Sequence, residues 1–187
     1  MAQLDDFSKI IHNGNEIGKV LHQGQTIWQS GVYLAQDSDF VEVNGYWIYR
    51  GAALEVEIPT HIKGELVTST VRMFNGRSTY QATPVTKVVL NHSNVTDMMD
   101  MFEYSKATTL DLSSFNTSNV TRMNYMFMYS KATTLDLSNF DTSNLTDTVN
   151  MFRYASATTG YARTQADANK FNATENKPEG LNFVVKP

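Results

Sequence analysis

Apolar residues in the second half of the chain recur on a fixed beat. Met-Phe occurs at 73–74, 101–102, 126–127 and 151–152, at intervals of 28, 25 and 25 residues. Between the last three pairs the text is nearly copied: Tyr104 through Ser113 returns as Tyr129 through Ser138. Likewise Phe115 with Thr117-Ser118-Asn119-Val120-Thr121 returns as Phe140 with Thr142-Ser143-Asn144-Leu145-Thr146. The first unit is irregular, with Val88-Val89-Leu90 falling where Leu110-Asp111-Leu112 does. Within each unit the period changes partway. Leu110 and Leu112 alternate with Thr109, Asp111 and Ser113, which predicts a short strand with one buried face. Val120, Met123 and Phe127 then stand three and four apart, which predicts a turn and a half of helix facing inward. Each unit therefore reads as strand, turn, short helix, turn.

No such unit can fold alone. Its 25 residues each lose about 1–2 kcal/mol of backbone entropy on ordering, and about six buried side chains at about 1.5–3 kcal/mol each do not offset that. Stacked neighbours must share one core, which is the physics of a solenoid. The fold class expected is thus an α/β repeat, a short solenoid of about four strand-turn-helix coils with amino- and carboxyl-terminal caps. A shorter repeat opens the chain: Ile11-His12-Asn13-Gly14-Asn15-Glu16-Ile17 recurs as Leu21-His22-Gln23-Gly24-Gln25-Thr26-Ile27, followed by Trp28. Asn13-Gly14 supplies the positive φ of a tight turn, so residues 8–29 read as two short hairpins.

The string Leu-Asp-Leu-Ser-x-Phe-x-Thr-Ser-Asn-Val-Thr-x-Met-x-x-Met-Phe at 110–127, repeated with changes at 135–152, resembles the BspA-like leucine-rich repeats of the DUF285 type. The resemblance implies a repeat protein of Gram-positive bacteria or their phages. Ile58-Pro59 through Thr68 resembles that family's opening unit, and Gly160 through Phe171 its closing segment. Residues 164–171 are expected as a helix and 181–185 as a final strand. The division that follows is a β-hairpin module at 1–31 and a leucine-rich-repeat domain at 32–187, with an N-cap about 32–72, repeats about 73–159 and a C-cap about 160–187. Two departures stand out. Where many members carry Gly-Cys, this chain has Tyr104-Ser105, Tyr129-Ser130 and Tyr154-Ala155, and Gly160-Tyr161-Ala162 replaces a further Leu-Asp-Leu. The opening hairpins resemble a short module at the start of many phage structural proteins.

Composition narrows the function. Of 187 residues 41 % are hydrophobic and 18 % charged, with a net charge of −4. That balance offers no clustered Lys and Arg for a phosphate backbone, so nucleic acid is excluded as the main partner. Cysteine is absent, which removes thiol chemistry and Cys-based zinc. No segment reaches the ~18 apolar residues of a membrane span, and no signal peptide opens the chain. The expectation is a protein that leaves its cell by a route other than ordinary secretion, as a phage component does at lysis.

Candidate chemistry is sparse. His12 and His22 occupy equivalent hairpin positions without accompanying carboxylates at ligand spacing. No Ser lies in a Gly-x-Ser-x-Gly context. Neither a catalytic site nor a cofactor or metal is expected. Two rows remain as binding candidates. Thr109, Asp111 and Ser113 with Thr134, Asp136 and Ser138 would form ladders on an exposed strand face, either a polar strip for a sugar or protein edge or simply a solvated surface. Tyr104, Tyr129 and Tyr154 would form a second ladder, either a recognition surface or packing on the outer side. The Met-Phe pairs are expected in the core, and the Asn-x-Thr triplets at Asn94, Asn119 and Asn144 as turn residues that bond backbone. The function expected is a non-catalytic virion protein of tail or baseplate. Its hairpins would dock to other virion proteins and its repeat face would bind a host cell-wall glycan or surface protein. The alternative is a bacterial cell-surface adhesion module, and a homo-oligomer is compatible with either.

Overall fold

The computed structural model describes residues 32–80 and 82–187, together with the backbone of four strands that precede them. Those are β1 (Ile11–His12), β2 (Asn15–Glu16), β3 (Lys19–His22) and β4 (Gln25–Gln29). They pair antiparallel as β1 with β2 and β3 with β4, the second pair with a register shift between Val20 and Leu21. The side chains of His12 and His22 lie outside the described residues.

From β5 (Tyr33–Leu34) onward the chain winds into a β-solenoid of about six turns. The strands β6 (Phe40–Val43) and β7 (Tyr46–Tyr49) form a hairpin that leaves the first turn. Asn44 and Gly45 take φ of 53° and 80° at its tip, the geometry that closes a two-residue hairpin loop. After β8 (Glu55–Glu57) a second such hairpin follows, β9 (His61–Ile62) and β10 (Glu65–Leu66), turned by Lys63 and Gly64. β11 (Lys87–Val89), β12 (Thr134–Leu137), β13 (Thr159–Ala162), α1 (Gln165–Asn172) and β14 (Asn182–Val185) complete the order. On the strand side β5, β8 and β11 lie parallel, with Asp111 bridged to Lys87, and β12, β13 and β14 form a second parallel sheet.

Four expectations need correction. The coils are not strand-turn-helix: among the described residues α1 is the sole α-helix, and no helix lies in residues 73–159. The reason is where the backbone N–H groups go. Those of Met123, Tyr125, Phe127 and Tyr129 donate to the carbonyls of Asp147, Val149, Met151 and Arg153 in the next coil, at 2.9–3.0 Å. Met98, Asp100, Phe102 and Tyr104 bond Arg122, Asn124, Met126 and Met128 in the same way, and Thr70, Arg72, Phe74 and Gly76 bond Asp97, Met99, Met101 and Glu103. The residues in between close tight turns, such as Met126 N to Met123 O and Met128 N to Tyr125 O. An i→i−4 ladder has no donors left, so the three-and-four spacing is met by stacked turns.

The caps and the number of coils also differ. β14 pairs in register with β13, Gly160 opposite Phe183, so the closing segment is a further coil of the same sheet, one that carries α1 on its path. The opening segment likewise contributes β5 and β8 as parallel rungs. There are therefore about six turns where four were expected. The first repeat also aligns two residues away from the expected register: Lys87 stands opposite Asp111, which sets Val88 against Leu112 and keeps both facing the core.

The core is a set of columns. Met73, Met101, Met126 and Met151 are fully buried. Phe74, Phe102, Phe127 and Phe152 stack with ring centroids 5.6, 5.8 and 6.0 Å apart and nearly parallel planes. Tyr49 extends this column at one end and Phe171 and Phe183 close it at the other. Phe115 stacks on Phe140 at 5.7 Å. Asn119 and Asn144 donate from Nδ2 to the carbonyls of Ser93 and Ser118, as turn residues bonding backbone should. No helix among the described residues is long and apolar enough to cross a membrane.

Candidate recognition surface

Tyr104, Tyr129 and Tyr154 sit at equivalent places in three successive coils, two residues after each Phe of the buried column. All three hold φ of 57–58°, a left-handed conformation that is unusual for so bulky a residue. Glycine would take this conformation without strain, and here Tyr supplies it. Their rings stack at 4.5 and 4.8 Å. Both ends of the stack are covered. The Arg77 guanidinium lies 5.0 Å from the Tyr104 ring, and that of Arg153 lies 4.7 Å from Tyr154, with Nη2 donating to the Tyr154 hydroxyl at 2.9 Å. Arg77 is itself held by Glu103 at 2.8 Å, a buried carboxylate that also accepts from Asn75 at 2.9 Å.

The row is thus a stack of three rings, Tyr104, Tyr129 and Tyr154, with the Arg77 guanidinium against the first and that of Arg153 against the last. Its inner faces are occupied by one another, so ring edges and phenolic hydroxyls are what it turns to solvent, with Tyr154 54 % exposed. Desolvation, and after it the neighbouring phenols, push the Tyr129 pKa up. Chemically the row can hydrogen-bond acceptors at a regular spacing and can pair anions at its two ends.

The strand strip is arranged differently. Thr109, Asp111, Ser113 and Thr134 are exposed, and Asp136 and Ser138 half-buried. Asp111 and Asp136 do not form an unrelieved carboxylate ladder, because each has its own lysine: Lys87 lies 3.6 Å from Asp111, and the Lys186 ammonium bonds Asp136. Hydrogen bonds from the Ser113 hydroxyl and backbone, with Lys87 beside it, hold Asp111 below the ordinary carboxylate range. Burial would raise Asp136, yet the bonds from Lys186 and Ser138 outweigh it and leave it lowered. Among the described residues no ladder joins Asp111 to β12. The Asn139 amide spans the gap and donates to the carbonyls of Leu112 and Phe115 at 3.0 and 2.9 Å.

A third feature had no signal in the repeats. Where β8 ends, residues 57–61, residues 34–38 and residues 91–92 enclose a cleft of about 790 Å3. His61 and His92, isolated in sequence, both line it. Only the three-dimensional winding, which sets the segment after β11 beside the one after β8, brings them together.

The family described as Mycoplasma protein of unknown function, DUF285, matches residues 53–175, more than half of the chain. No curated protein and no solved structure matches it. The repeated Met-Phe coils that build the tyrosine row fall within the matched span, and the chain belongs to the DUF285 family.

Proposed function

We propose that this protein is a non-catalytic binding module whose tyrosine row is its contact surface. One observation carries the reading: three successive tyrosines stack at 4.5 and 4.8 Å along the outside of the coils, where Tyr154 is exposed. The stacked row offers hydroxyl donors on a rigid scaffold with little entropy left to lose, which suits a polymer or protein edge rich in acceptors. In this reading the hairpins β1–β4 dock the module to other proteins of a phage tail or baseplate, and the row meets a host cell-wall glycan or surface protein. The family's description from Mycoplasma, a cellular organism, favours a second reading, a bacterial cell-surface adhesion module that uses the same row.

The test is retention of the full chain on cell envelopes purified from the source strain. Tyr104, Tyr129 and Tyr154 are replaced together by Gly, which suits the backbone, and in a second variant by Phe, which keeps the stack and removes the hydroxyls. Retention falling at least about tenfold in both variants, about 1.4 kcal/mol, with a cooperative melt preserved, is the expected result. Undiminished retention in the glycine variant would end the reading. Mass spectrometry of purified particles separates the settings: absence from every virion removes the phage reading and leaves the adhesion module.

A further inference from the structure

The tyrosine row is one column of a wider face. After each tyrosine the backbone is tied from coil to coil: Lys131 N and Ser156 N donate to the Ser105 and Ser130 carbonyls at 2.9 Å, and Thr133 N and Thr158 N to the Thr108 and Thr133 carbonyls at 3.1 Å. Alternate residues are buried, Ser105 and Ala107 in one coil and Ser130 and Ala132 in the next, so those between them point out. Beside the tyrosines this sets a column of Lys106, Lys131 and Ser156, and beyond it one of Thr108, Thr133 and Thr158, all exposed.

The charge of this face opposes that of the chain. The net charge is −4, yet residues 104–109, 129–134 and 154–159 contain no Asp or Glu. The acidic residues that flank these segments are engaged: Glu103 by Arg77, Asp111 by Lys87 and Asp136 by Lys186. Lys106, Lys131 and Arg153 have no carboxylate partner among the described residues. Cations repeated at the spacing of the coils, about 4.8 Å, with no acid among them, complement a ligand that repeats negative charge.

The other columns discriminate between polyanions. Single-stranded nucleic acid holds on by stacking bases on free aromatic faces, and here the faces are taken by neighbouring rings and by Arg77 and Arg153. An acidic peptide that adds as a strand needs an open sheet edge, whereas these N–H groups are spent on the next coil. An anionic membrane needs apolar side chains beside the cations, and the outward positions carry no aliphatic residue. The Thr133 hydroxyl is directed at the Thr108 carbonyl, 3.4 Å away, which leaves its lone pairs to accept from outside. The ligand that fits carries anions and hydroxyl donors together. Sugar rings are also stiffer than a polyol phosphate chain and lose less entropy on lying straight.

We infer that this face binds an acidic polysaccharide, its carboxylates on Lys106 and Lys131 and its hydroxyls between the tyrosine and threonine columns. The inference rests on the tyrosine row being the contact surface, and names what that surface holds.

The test is fluorescence anisotropy of labelled oligogalacturonate, oligomannuronate and hyaluronan oligosaccharide with the full chain. At least one is expected to bind, with affinity that falls as salt rises, while methyl-esterified oligogalacturonate, which keeps rings and hydroxyls and lacks the charge, does not. Lys106→Gln with Lys131→Gln should weaken binding at least about tenfold at an unchanged melting temperature, and Lys106→Arg with Lys131→Arg should restore it. Thr108→Val with Thr133→Val should weaken it several-fold. Binding of none of the three overturns the inference. So does equal binding of the methyl ester, indifference to the glutamine variant, or tighter binding of polyglutamate, a single-stranded oligonucleotide or phosphatidylglycerol vesicles. Retention on cell envelopes separates the two claims: retention lost in the tyrosine variants and kept in the glutamine variant overturns the acidic ligand and leaves the row standing, whereas retention unchanged in the tyrosine variants ends the row itself and this inference with it.

Discussion

The two long sides of the solenoid are held together differently, and the difference runs against their appearance in sequence. The side that alternates Leu-Asp-Leu like a strand has an interrupted ladder: β5, β8 and β11 form one sheet and β12, β13 and β14 another, and the Asn139 amide spans the gap between the backbone bond of Thr133 to Thr108 and the Thr117–Asp141 contact. The side whose apolar spacing is helical has the continuous ladder, four backbone bonds from each coil to the next over residues 70–154. It also carries the unbroken column of phenylalanines. Side-chain spacing reports which residues face the core. It does not report which carbonyls the N–H groups reach, and in a solenoid that second fact decides the backbone.

The largest effect should come from breaking the continuous side. Phe127 is fully buried between Phe102 and Phe152, so Phe127→Ala should cost about 3–5 kcal/mol in denaturant unfolding. Leu110, on the interrupted side and only partly buried, should lose about 1–2 kcal/mol as Leu110→Ala, since part of its surface is already in water. Equal losses would mean that the aromatic column is not the spine of the molecule.

The gap itself gives a smaller effect. Asn139→Ala leaves the carbonyls of Leu112 and Phe115 without that donor, and about 1–3 kcal/mol should be lost. Ser114, one repeat earlier, makes a single bond of 3.3 Å to the Val88 carbonyl beside an existing bridge. Its alanine variant should lose less than about 1 kcal/mol. Hydrogen exchange localises the result: β12 should open in the Asn139 variant ahead of β11. Uniform opening would show that the two sheets act as one.

Legibility followed the same division. The 25-residue beat, the buried Met-Phe pairs, the turn asparagines and the stacked tyrosines were all readable, because identical residues at a fixed interval must meet identical neighbours when coils stack. The helix expected at Val120–Phe127 was not there to be read. A run of tight turns with Met123, Met126 and Phe127 pointing inward produces the same spacing as a helix, and nothing in the residues says that alternate N–H groups leave the coil. Tyr at the left-handed positions obscured the one available sign, which a Gly would have given. The strand strip was legible as exposed residues but not as a self-neutralised surface, because Lys186 lies fifty residues from Asp136 in sequence. The His92 cleft carried no periodic signature at all, since it is made by segments outside the regular repeats.

The finest test bears on that hidden sign. At Tyr129 two demands compete: the backbone φ of 58° favours Gly, while stacking on Tyr104 and Tyr154 at 4.5 and 4.8 Å favours an aromatic. Both Tyr129→Ala and Tyr129→Gly remove the ring and with it the stack. They differ in the Cβ, which in the left-handed region meets its own carbonyl and costs about 1 kcal/mol or more. Elsewhere the ranking is the reverse, because Gly in an extended or right-handed segment is less stable than Ala by roughly 0.5–1 kcal/mol through the entropy of the unfolded chain. The Gly variant should therefore unfold at higher denaturant than the Ala variant, an inversion that no loss of packing can imitate. If Ala proves the more stable, the left-handed turns that leave alternate N–H groups pointing at the next coil are not the backbone of this solenoid, and the helix expected from the spacing returns as the better description.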